Sequence, residues 1–278
     1  MMTYPKEFER LISSADAPEF IGWGNPNAKI LLLGKEPAID WADEKKGRIQ
    51  YKIEVERNRD DWQENIDRQT GFDDVVAQRG IYGNPLCPHG WQKYQVTNLD
   101  KKTKKYPEGK EGTARTWYQY QKLIDMIFGK TSGSDDFLDF HKYCFSTDMS
   151  DVAALESSRT NPEKTKKSIE ERRDGLFKKY DFFKRFPIII AAVAHYPKKY
   201  DSDTYFEKTF GVAWVQDKSV ATPGAWINVN EDAGAPRLLL HTCQFSAPLS
   251  DEYFERIAAL VRDFAKTHNI NLDPAALL

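Results

Sequence analysis

Short runs of consecutive apolar residues, each ending abruptly, constrain this chain more than any other feature. Ile30-Leu31-Leu32-Leu33 stops at Gly34-Lys35-Glu36-Pro37, and Leu238-Leu239-Leu240 stops at His241-Thr242-Cys243-Gln244-Phe245-Ser246. A run of this kind, with Gly or polar residues just after it, reads as a strand buried on both faces, as in a parallel sheet. In open α/β sheets ligands bind just beyond the carboxyl ends of the strands. Glu36 and His241, far apart in sequence, therefore both fall where a site is expected.

Bulk properties narrow the class. At 278 residues the chain can bury a sizeable core, in one large domain or two small ones. Hydrophobic residues at 40% and charged residues at 29% suit a globular protein. Aromatics reach 13%, with 7 Trp and 13 Tyr, more than a core alone needs. The first ten residues lack the apolar stretch of a secretory signal, and no run approaches the roughly 18 apolar residues of a membrane span. The expectation is a cytoplasmic monomer without a membrane partner. Cys87, Cys144 and Cys243 are odd in number and widely spaced, which fits neither a disulfide framework nor a metal cluster. No metal and no cofactor is expected. A net charge of −2 supplies no global field toward nucleic acid, so any such binding must be local.

Along the chain, a helix is expected at 6–13 and a first strand at 29–33. Residues 41–115 are polar and dense in charge and aromatics, and read as an excursion from the core with one amphipathic helix and a short strand at 94–97. Apolar residues at helical spacing mark a helix over 117–128, stopped by Gly129. A second core strand is expected at 142–147. Asn161-Pro162-Glu163 opens a charged helix running to about Lys179. Residues 187–194 read as a third buried strand, with further strand-like pieces at 226–229 and 237–240. An amphipathic helix over 250–268 closes the chain, with Ser250 as its N-cap. Strands alternating with helices imply a mainly parallel sheet.

In this order and spacing the pieces resemble the uracil-DNA glycosylase superfamily. Residues 24–37, Gly-Asn-Pro-Asn-Ala-Lys-Ile-Leu-Leu-Leu-Gly-Lys-Glu-Pro, are similar to its first motif: a strand ending in Gly, two residues and Pro, with a carboxylate on the loop. The last motif is a strand ending in His-Pro-Ser-Pro-Leu-Ser or a relative. His241 to Ser246 keep its His and final Ser. Between them the family has a strand ending in Asn, which Phe145-Ser146-Thr147-Asp148 matches in position. Tyr94-Gln95-Val96-Thr97-Asn98 matches it better in spelling but comes early in the chain. The resemblance covers 20–37 and about 117–265. It implies a three-layer α/β/α sandwich with a mainly parallel central sheet, a single domain with an insertion at about 41–115.

It also implies a function: N-glycosidic cleavage of a base flipped out of DNA, as in DNA repair, or the silent binding of nucleic acid or a nucleotide in the same cleft. Glu36 would handle water. Asp148 or Asn98 would read the base edge. His241 would donate to the leaving base, where charge develops. Gly34 and Pro37 would shape the loop, and Lys35 and Ser246 would contact phosphate. Lys101, Lys102, Lys104 and Lys105 form a basic run able to meet phosphates or simply to stay solvated.

Departures from the family pattern bear on specificity. Uracil offers a donor at N3 and an acceptor at O4. An Asn amide matches both, whereas an ionised Asp has no donor. An ionised Asp148 would therefore favour a base edge rich in exocyclic amine. Thr242 and Cys243 replace the Pro and Ser of the last motif, and the cysteines of the iron–sulfur members are missing. Other readings stand beside these. Glu36 or Asp148 could cap a turn, His241 could be a satisfied structural histidine, and Cys243 could be an inert buried thiol. Trp41, Trp62, Tyr82 and Trp91 could stack bases or form a small core. His89 reads as a turn residue and His195 as a residue of the pocket rim.

Overall fold

A computed structural model describes residues 1–39, 41–77, 83–88, 115–133, 136–154, 160–222, 225–232 and 234–273. The expected strand at 94–97, Asn98, the four lysines of 101–105, Tyr82, His89 and Trp91 lie outside the described residues.

The apolar runs form the strands they predict. Helix α1 (Lys6–Ile12) precedes β1 (Trp23–Gly24) and β2 (Ile30–Gly34). Helices α2 (Glu44–Tyr51), α3 (Asn58–Arg68), α4 (Phe72–Ala77) and α5 (Arg115–Phe128) lead to β3 (Phe145–Asp148). Then come α6 (Pro162–Arg172), α7 (Asp181–Lys184), β4 (Ile188–Ala191), α8 (Tyr196–Tyr200) and α9 (Tyr205–Phe210). The chain finishes with β5 (Ala213–Trp214), β6 (Val220–Thr222), β7 (Ala225–Glu231), β8 (Leu238–Thr242) and α10 (Asp251–Thr267).

Among the described residues eight strands form one sheet, in the order β1-β3-β2-β4-β8-β7-β5, with β6 also on β7. The four strands β3, β2, β4 and β8 are mutually parallel. β1 runs antiparallel at one edge, and β7, β5 and β6 run antiparallel at the other. The sheet is thus mixed rather than mainly parallel. The short connection from β7 to β8 can only reverse the chain, because a parallel pairing needs a long crossover.

Strand alternation then divides the core. Ile30, Leu32, Ile188, Ile190, Leu238 and Leu240 face α5 and α10. Leu31, Leu33, Ile189, Ala191 and Leu239 face the other way, onto residues of α1, α3, α6, α8 and α9. Both sides of the parallel strands are therefore dry, which is why those strands read as unbroken apolar runs. Leu31, Leu33, Ile189, Val193 and Leu239 are all fully buried.

The connection after β2 leads to β3 on one side, and the connection after β4 leads toward β8 on the other. The carboxyl ends of β2 and β4 therefore flank a topological switch point, the crevice where open α/β sheets bind ligands. Among the described residues no helix is long and apolar enough to cross a membrane.

Candidate functional site

Three backbone bonds join the loops after β2 and β3. Met149 N–H donates to Gly34 O at 2.9 Å, Ser150 N–H to Lys35 O at 2.9 Å, and Ala154 N–H to Pro37 O at 3.0 Å. Gly34 lies opposite Asp148 in the parallel register. The Asp148 carboxylate sits over Gly34, where a Cβ would collide with it, and the Tyr120 hydroxyl is 3.6 Å from the same point. Gly34 is thus the residue that lets a carboxylate lie flat on the strand end.

Asp148 is buried, at 8% exposure. Desolvation lifts its carboxyl from 3.8 to about 7, and the negative charges of Glu36 and Glu54 push the same way against the opposing pull of Arg172. Asp148 is therefore substantially protonated near neutrality, in contrast to the ionised carboxylate expected from the sequence. Glu36 is half-buried beside it, with Oε2 shielded from solvent. Glu54, in the π-helical turn Lys52–Glu56, is also buried and accepts from Gln50 Nε2 at 3.0 Å.

Arg172, at the end of α6, secures this corner. Its Nε donates to Asp148 O at 3.0 Å, Nη1 to Phe20 O at 2.6 Å and Nη2 to Thr147 Oγ1 at 2.8 Å. Neither Arg172 nor Glu54 carried a sequence signal of its own. Both lie in charged helical stretches where buried and solvated charges look alike.

The last motif comes to the first through Gln244 and Phe245, which have no role in the sequence reading, and through Lys35, expected there to contact phosphate. Lys35 Nζ donates to Gln244 Oε1 at 2.6 Å and lies 4.7 Å above the Tyr196 ring. Burial lowers the pKa of Lys35, opposed by Glu36 and reinforced by Lys199. Phe245 packs on Tyr120 with ring centroids 5.6 Å apart. Ser246 follows at intermediate exposure, and Pro37 is buried.

His241 does not join the carboxylates. It lies three strands from Asp148, in the row of Thr147, Leu33 and Ala191 and so one residue out of register with Asp148, roughly 14 Å across the sheet at the usual strand spacing. Its side chain faces the opposite side, between Phe206 at 4.8 Å and Trp226 at 4.6 Å. His241 Nε2 is 2.7 Å from Ala194 O. Since a carbonyl only accepts, Nε2 carries the proton and donates it there. Burial lowers the histidine's pKa to about 4, so at neutral pH the ring keeps Nδ1 as a bare acceptor. The donor expected for a leaving base is already committed to the backbone. Ala194 adopts φ +47°, and its own N–H donates to Thr242 O at 3.0 Å. His241 and β8 together hold this strained turn after β4.

The other expectations sort by burial. Trp62 is fully buried and donates to Gly22 O at 2.9 Å, so it belongs to the core rather than to a stacking surface. Trp41 is 39% exposed and donates to Ala153 O at 3.2 Å. Cys243 is buried and unbridged. His195 is exposed and packs 5.7 Å from Trp226. Among the described residues no group of His, Cys, Asp or Glu is arranged to hold a metal ion. No protein-family model matches the chain, and no curated protein matches it.

Proposed function

We propose that this protein hydrolyses the N-glycosidic bond of a base held outside the stack in DNA, or of a related nucleotide, on a three-layer scaffold like that of the uracil-DNA glycosylases. The observation that supports this best is the buried Asp148 carboxyl at the end of β3, opposite Gly34 and close enough to Glu36 on the loop after β2 to feel its charge. A neutral carboxyl offers one O–H and one C=O, the same pair as an Asn amide. Asp148 so protonated suits the N3–H and O4 edge of uracil and the similar edge of hypoxanthine. Glu36 takes the proton of the water that adds to C1′ as the base departs with the bonding electrons.

Gln244 supplies the donor that the resemblance assigned to His241. Its oxygen is held by Lys35, which leaves the amide N–H groups for the leaving base. Preorganised donors of this kind stabilise the charge that develops there. Gly34 and Pro37 shape the floor. Ser246 and the lysines at 101, 102, 104 and 105 meet phosphates, and Asn98 is the second choice for the base edge. With a net charge of −2, such contacts must be local and weaken with salt.

The test is release of base from oligonucleotides carrying uracil, hypoxanthine, xanthine or an alkylated cytosine. The wild type should release at least one of them, and Glu36→Gln and Gln244→Ala should each lower the rate by about 10²–10³. No release from any would sink the proposal. One observation favours a second reading, a silent binder in the same cleft: His241 spends its donor on Ala194. Salt-dependent DNA binding without product would support that reading.

A further inference from the structure

We propose that Lys35 is a nucleophilic amine that forms a Schiff base with the aldehyde of a ring-opened sugar, giving the site a lyase activity beside base release. The substrate class rests on the function proposed above; the nucleophile rests on Lys35 itself. Among the described residues its ammonium is received by a neutral amide oxygen and an aromatic face rather than by a carboxylate hydrogen bond. Neutral partners stabilise a buried cation less than an ion pair does. Burial and the like charge of Lys199 both favour the free amine, with Glu36 opposing. Burial that lowers a lysine's pKa is the usual route to an imine-forming residue. Its position completes the case: Lys35 follows the last residue of β2, at the switch point, next in the chain to Glu36.

In the proposed step the Nζ lone pair adds to the aldehyde carbon, C1′. Nζ gives one proton and solvent supplies a second to the former carbonyl oxygen, which leaves as water, and a protonated imine remains. Glu36 then removes a C2′ proton, and the C3′–O bond breaks with its electron pair going to the departing phosphate.

The experiment uses the intact protein with an oligonucleotide holding a preformed abasic site, in the presence of sodium borohydride, which reduces an imine to a stable amine. The expected result is a covalent protein–DNA adduct whose peptide map places the sugar on Lys35, with near-complete loss of the adduct in Lys35→Arg and Lys35→Gln. Mapping on the wild type does not depend on either variant folding. Absence of an adduct, or an adduct on a different amine, overturns the proposal. Because the aldehyde is supplied ready-made, base release is not needed. Trapping without excision upholds the lysine and defeats the glycosylase reading, and excision without trapping does the reverse.

Discussion

Asp148 is a carboxyl group whose proton depends on the fold. The folded chain holds that proton up to about pH 7, whereas an ordinary solvated aspartate releases it near 3.8. Over that window the folded state binds more protons than the unfolded state, so this group's contribution is full below the window and declines as pH rises through it. A shift of that size corresponds to roughly 4 kcal/mol once the buried group must ionise. Asp148→Asn should therefore raise the thermal midpoint clearly at about pH 8, by less than half as much at about pH 5 and hardly at all at about pH 3.5; a difference independent of pH would contradict the account. His241 has the opposite sign. Its folded pKa lies near 4 instead of 6.5, so its contribution is full above the higher value and is lost as pH falls through the lower one. Gly34→Ala should cost about 1–3 kcal/mol, because the new methyl meets the Asp148 carboxylate. An unchanged urea midpoint would remove that contact from the account. At this scale the sequence revealed which carboxylates end which strands. It did not reveal the proton on Asp148, which comes from burial and from the charges of Glu36 and Glu54 against the pull of Arg172. Nor did it reveal the partner of His241, a backbone carbonyl 47 residues away.

Elements with strong caps and clear periodicity were legible. Ser250 accepts from Tyr253 N–H at the start of α10, and Asn161 accepts from Glu163 and Lys164 N–H at the start of α6, both at positions the sequence marks. Ser250→Ala should cost about 1 kcal/mol, read as a lower denaturant midpoint with an unchanged slope. A wild-type midpoint would mean that packing of Phe254, Ile257 and Val261 sets the start of this helix without the cap. The charged helix expected to reach Lys179 instead ends at Arg172 and continues as a π-helical turn, Arg173–Phe177. Strands β1 and β5 have two residues each and β6 has three, too few to display a period of two. Within 41–115 the described residues hold α2, α3 and α4 rather than one helix. Polar residues dominate α3, and its place in the core rests on the single buried Trp62 with Asn58 and Asn65.

For the molecule as a whole, four parallel strands carry both motif loops to one end of the sheet, and antiparallel strands close its two edges. That core was legible because strands dry on both faces must be apolar throughout. The antiparallel edges were not, because half-exposed strands such as β7 leave a weaker pattern. The same arrangement explains why the site splits. Glu36, Asp148, Lys35 and Gln244 gather around the end of β2, while His241, two strands from β2, is drawn to the opposite face. The central claim is that a protonated Asp148 reads the base while Glu36 drives its release. The most direct measurement is the pH profile of uracil and hypoxanthine release by the wild type and by Asp148→Asn. The account predicts that wild-type release falls as pH rises through about 7, as the carboxyl loses its donor, and that Asp148→Asn remains active above that point. Wild-type release that does not fall through that range, or no release by either protein at any pH, would contradict it.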